Sequence, residues 1–84
     1  VPHVIIKMQS GRSDQQKTEI AELVTQALTT GAKCAAEAVS VAIEDVGADE
    51  WMEQVYQPDI VANQPKLYKR PGYGPLAHIP SARR

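Results

Sequence analysis

Between residues 3 and 46 the hydrophobic pattern changes period twice, and this constrains the fold more than any other feature of the chain. Residues 3–8 alternate, with Val4, Ile6 and Met8 on one face and His3, Ile5 and Lys7 on the other. Over residues 14–30 the apolar positions Ile20, Leu23, Val24, Ala27 and Leu28 recur at helical spacing. Residues 38–46 alternate again, with Val39, Val41 and Ile43 opposite Ser40, Ala42 and Glu44. A strand, a helix roughly 25 Å long and a second strand imply a parallel pair joined by a crossover. The expected fold class is α/β, built on a single β-α-β unit.

The boundaries are marked. Ser10, Gly11 and Arg12 form a turn, and Ser13 with Gln16 three residues later makes a capping-box pattern. Gly31 is the expected helix stop, supplying a left-handed residue. Beyond the second strand, Asp49 is expected to cap a short helix holding Trp51, Met52, Val55 and Tyr56. Pro58 and Pro65 limit further helix to a turn or two. Residues 1–74 form the expected domain, and residues 75–84 an irregular tail.

Such a unit has too little core. One helix covers one face of a two-stranded sheet, which leaves Ile5 and Ala42 on the bare face and two open strand edges. Two strands alone are marginal in water, and a chain of 84 residues buries only a modest share of its surface. A second copy pairing edge to edge gives a four-stranded sheet with both helices on one face, so a homo-oligomer is expected.

Charge and composition remove several function classes. The net charge is -1, so no basic field recruits nucleic acid or a membrane surface. The charge is uneven: residues 1–65 carry all ten acids and four bases, while residues 66–84 carry five bases and no acid. The basic segment lacks the interleaved aromatics of a single-strand groove apart from Tyr68 and Tyr73, so it is expected to clamp the acidic body of a neighbouring subunit. The lone cysteine, Cys34, allows no disulfide within the chain. His3 and His78 are too few to build a structural zinc site with it. No apolar run reaches a membrane span and no signal-peptide pattern is present, so a reducing, cytoplasmic setting is expected.

Few residues are left for chemistry. Pro2 is at least a stiff strand-start residue. As the first residue of a processed chain it becomes a secondary amine and a general base. An unperturbed α-amine titrates at about 7.7–8.0, and an apolar pocket with a neighbouring cation pushes that value down. Because Val1 precedes Pro2, this role requires a native chain that begins at Pro2, which is the expectation. Arg12 in the turn is either a solvated side chain or a fork for a substrate carboxylate. Trp51 is packing or an apolar active-site wall. Cys34 and His3 are read as structural.

Pro2-His3-Val4 leading into a strand, followed by Gly11-Arg12-Ser13-Asp14-Gln15-Gln16-Lys17, resembles the start of the 4-oxalocrotonate tautomerase family. Ser40 to Glu44, Trp51 and the segment Tyr68-Lys69-Arg70-Pro71-Gly72-Tyr73 resemble a longer-tailed branch of that family. The resemblance covers roughly residues 2–74. It implies a cofactor-free and metal-free tautomerase or isomerase acting on enols of small 2-keto acids. In that reading Pro2 shuttles the proton, Arg12 binds the carboxylate and Trp51 keeps the pocket apolar. It also implies assembly as a dimer, expected here, or as a hexamer of dimers. The family prototype's second arginine falls at Ser40, a substrate-binding position that carries no charge in this chain. The expected substrate therefore has one carboxylate, unless Lys66, Lys69 or Arg70 supplies the missing cation. Two other readings follow from relatives and from Val1: a hydratase or dehalogenase of small unsaturated acids, or a silent oligomeric ligand-binding protein with its amine blocked.

Overall fold

A computed structural model describes residues 1–77 of the chain. Most of the expected tail, including His78, Arg83 and Arg84, lies outside the described residues. The chain divides into two compact units, Val1–Ala48 and a second that begins at Asp49.

The first unit is the β-α-β element. Strand β1 spans His3–Gln9, helix α1 spans Asp14–Gly31 and strand β2 spans Ser40–Val46. The strands pair in parallel, with Val4 opposite Val41, Ile6 opposite Ile43 and Met8 opposite Asp45. Parallel register puts paired residues on one face. That face turns to α1, because Thr18, Ala21, Glu22, Thr25 and Gln26 share an open groove with Val39 and Val41. Lys17 on α1 also reaches Asp45 across the same side, at 2.5 Å. The opposite face carries His3, Ile5, Lys7, Ser40, Ala42 and Glu44.

Helix α1 begins where the capping box predicts. The Gln16 N–H donates to Ser13 Oγ at 3.1 Å, and the Ser13 N–H donates to Gln16 Oε1 at 2.9 Å. Two otherwise unpaired donors of the first turn are thereby satisfied. The stop differs from expectation. Gly31 is the last helical residue, and the left-handed position falls two residues later at Lys33, with φ 59°. The Ala32 N–H still bonds Leu28 O at 2.8 Å, so the helical hydrogen-bond pattern runs past the glycine and the reversal comes after it. Strand β2 also starts later than residue 38. Ala36–Ala38 close a 3-10 turn through Ala38 N–H to Ala35 O and Val39 N–H to Ala36 O, which takes those residues out of the ladder.

The shortage of core is visible in the burial. Helix α1 has no buried residue, Leu23 is 58% exposed and Ile5 on the bare face is 55% exposed. A two-stranded sheet with this much apolar surface in water needs a partner.

The second unit is helical. A 3-10 turn over Ala48–Glu50 precedes a π-helix over Met52–Ile60 and a 3-10 stretch over Val61–Lys66. Asp49 is not the cap: Trp51 occupies that position, with no side-chain capping bond. Pro58 lies inside the π-helix instead of ending it. A proline ring crowds the carbonyl one α-turn back and offers no N–H, and a wider turn accommodates both constraints. Val55 and Tyr56 are buried here, and Leu76 is buried in a final 3-10 turn over Gly74–Leu76. Tyr56 has no exposed surface.

Candidate active site

The proline comes first, because the reading depends on its position. Pro2 immediately precedes β1 and is half-buried. Its carbonyl accepts the Ser40 N–H at 3.1 Å, continuing the parallel ladder by one bond. The Val1 ammonium donates to Ala38 O at 2.7 Å, and Val1 is otherwise 98% exposed. The bond that holds Pro2 against β2 therefore does not involve Val1.

Ser40 lies beside Pro2. Besides its backbone bond to Pro2, its Oγ shares a 2.6 Å hydrogen bond with His3 Nδ1. Alternation alone separates His3 from Pro2 and leaves its function unmarked. The parallel register is what places His3 opposite Ser40, and only a residue-by-residue alignment of the two strands reveals the pair.

Arg12 is not brought to Pro2 within one chain. Its guanidinium donates to Gln9 O at 3.2 Å, at the far end of β1. The seven residues of β1 separate that point from Pro2 by roughly 20 Å at the usual rise per residue. Small substrates do not span this gap. Gly11, with φ 131°, takes the conformation that turns the chain there, so Arg12 is set by the turn and projects from an exposed position.

Trp51 belongs to the second unit and is half-buried. Its Nε1–H donates to Tyr73 Oη at 2.8 Å. Tyr56 Oη donates to the Tyr73 carbonyl at 2.7 Å and accepts from the Leu76 N–H at 3.0 Å. The rings of Tyr56 and Tyr73 meet edge to face, with centroids 5.2 Å apart at 71°. Sequence reasoning marks Trp51, and places Tyr73 in a basic segment that resembles the longer-tailed branch without giving it a role. The two are 22 residues apart, and no local period links them.

Of the tail cations proposed as substitutes for the missing arginine, Arg70 donates to Gln64 Oε1 at 3.1 Å. Cys34 Sγ points to the Leu28 carbonyl at 3.6 Å, at the end of α1. Among the described residues no cluster of three or more His, Cys, Asp or Glu side chains is placed to hold a metal ion. No described helix is long and apolar enough to cross a membrane.

Residues 2–56 match the family model described as tautomerase enzyme. The chain is 45% identical over 80 residues to a probable tautomerase of Xylella fastidiosa, covering 95% of this chain and 98% of the relative. It is 36% identical over 74 residues to the tautomerase PptA of Klebsiella pneumoniae, covering 87% of this chain and 97% of that one. Among solved structures it is similar to TomN, a 4-oxalocrotonate tautomerase homologue in the tomaymycin biosynthetic pathway. That match has a TM-score of 0.58 and 28% identity, and covers 60% of this chain and 77% of the other.

Proposed function

The chain belongs to the tautomerase family, and from that premise we propose that it moves a proton on enols of small 2-keto acids with the Pro2 amine as the base. The family and its named relatives make it an enzyme of the tautomerase type. The substrate class, the proline's role and the assembly are the proposal.

One observation carries the reading: Pro2 is seated against β2 by its own carbonyl, through the Ser40 N–H, so its nitrogen keeps its place when Val1 is removed. The freed secondary amine, in its neutral form, takes the proton from the enol oxygen of the substrate. The electron pair moves through the conjugated system to carbon, and the ammonium returns the proton there. The atoms balance with no cofactor. Arg12 binds the substrate carboxylate and stabilises negative charge on the enolate. Trp51 is assigned as an apolar wall for the substrate.

The strand between Pro2 and Arg12 adds a requirement. The arginine that serves a given proline comes from another copy of the chain. Two copies paired edge to edge in opposite directions bring the start of one β1 toward the end of the other and satisfy an open strand edge of each. A homodimer is the smallest assembly that meets the requirement. A cytoplasmic setting suits the single unpaired thiol of Cys34. The hydratase alternative needs a carboxylate to activate water. Nothing in the sequence marks Glu44 or Asp45 for that role, and Asp45 is paired with Lys17 at 2.5 Å.

The test combines processing with activity. The untagged protein is purified from its native host, and its intact mass and first residue are determined. Ketonisation of phenylenolpyruvate is then followed by loss of enol absorbance. A chain beginning at Pro2, active as purified and strongly impaired as Pro2→Ala, is the expected result. An active chain that retains Val1 refutes the amine mechanism.

A further inference from the structure

We propose that Tyr73 is a positioning residue for Trp51, its hydroxyl holding the indole so that the wall offered to substrate is purely apolar. The proposal rests on the reading of Trp51 as a pocket wall.

A tryptophan has one polar atom, a donor. A half-buried indole ordinarily gives that N–H to water and remains free to change rotamer. Here the N–H goes to Tyr73 Oη at 2.8 Å, so the indole has no donor left for a ligand. Tyr73 is itself held. Its carbonyl accepts from the fully buried Tyr56, and its ring lies edge to face against the same side chain. The next residue, Gly74, has φ 72° and passes so close to Tyr56 that a Cβ would lie 2.8 Å from the ring. Leu76 N–H closes the loop onto Tyr56 Oη at 3.0 Å. A rigid buried ring thus fixes a stretch of backbone, the backbone fixes Tyr73, and Tyr73 fixes the indole.

Burial does not explain where Tyr73 is placed, since it is 47% exposed. The observations it does fit are the hydroxyl aimed at Trp51 and the turn that aims it. An indole with its donor occupied and its orientation set suits an apolar substituent on the substrate. This points to 2-keto acids with an alkyl or aryl side chain.

The experiment is a double-mutant cycle with a spectroscopic arm. Tyr73→Phe removes the hydroxyl and keeps the ring against Tyr56 and the turn at Gly74. Trp51 is the sole tryptophan, so its fluorescence reports the indole alone. Expected for Tyr73→Phe are an unchanged melting temperature, increased acrylamide quenching of Trp51, and a KM for phenylenolpyruvate raised ~5-fold with kcat within about twofold. In a Trp51→Phe background the same substitution is expected to change KM by less than about 1.5-fold, because the hydroxyl has nothing to hold. An unchanged KM in Tyr73→Phe, or an equal rise in both backgrounds, overturns the proposal. A wild-type protein that fails to ketonise the enol defeats the functional reading instead. The quenching then decides the tether by itself: an increase supports it and no change overturns it.

Discussion

Two variants that are each strongly impaired are expected to regain activity when mixed. Pro2→Ala exchanges the ring-held secondary amine for a freely rotating primary one, which impairs the base. Arg12→Ala removes the carboxylate fork, and losing a charge-assisted contact of about 2–3 kcal/mol lowers kcat/KM by about a hundredfold. The separation along β1, roughly 20 Å, assigns the two residues of any one site to different copies. In a dimer carrying one variant chain of each kind, one site then has both defects and the other has neither. Random reassociation of equal amounts yields about half mixed dimers, each with one intact site of two, so about a quarter of wild-type activity returns. The assay is unfolding of the mixture in urea, dilution, and the initial rate of phenylenolpyruvate ketonisation against each variant refolded alone. Recovery near a quarter supports a site shared between copies. A mixture no more active than its parents, with reassociation confirmed by native mass spectrometry, refutes the geometric argument and requires both residues to act within one chain.

Two further substitutions probe other parts of the structure. Gly74→Ala places a methyl group 2.8 Å from the ring of Tyr56 at a φ of 72°, and the strain and overpacking together are expected to cost about 2–4 kcal/mol in urea unfolding followed by Trp51 fluorescence. Gly72→Ala, with nothing within 4 Å of the added carbon, is expected to stay within about 0.5 kcal/mol of wild type, and equal effects at the two glycines would refute this account of the turn. Ser40→Arg restores a cation beside Pro2 without removing the backbone N–H that holds it, and turnover of a dicarboxylate enol such as 2-hydroxymuconate is expected to rise by about tenfold or more. No gain there would mean that the missing charge does not limit substrate choice.

Much of the first unit is legible without coordinates because its determinants are local. The alternation of Val4, Ile6 and Met8, the stripe from Ile20 to Leu28 and the Ser13–Gln16 box each act within a few residues. Backbone hydrogen bonding and apolar burial then leave a parallel crossover as the ready arrangement. The same local logic misplaces details decided by competition between neighbouring bonds. Gly31 looks like a helix stop, yet the bond from Ala32 to Leu28 carries the helix pattern past it and moves the reversal to Lys33. Asp49 looks like a cap, yet the 3-10 turn over Ala48–Glu50 hands that position to Trp51.

By itself, then, the sequence determined a β-α-β unit, its shortage of core and the short set of residues able to do chemistry, since patterning and residue type are properties of the chain alone. The tertiary structure decided how those residues are grouped. It joined Ser40 to Pro2 and to His3 through strand register and held Arg12 at the opposite end of β1. It also tied Trp51 to Tyr73 across 22 residues. The physical reason is that register, strand length and long-range hydrogen bonds set distances between residues remote in sequence, and distance determines which groups can share one substrate.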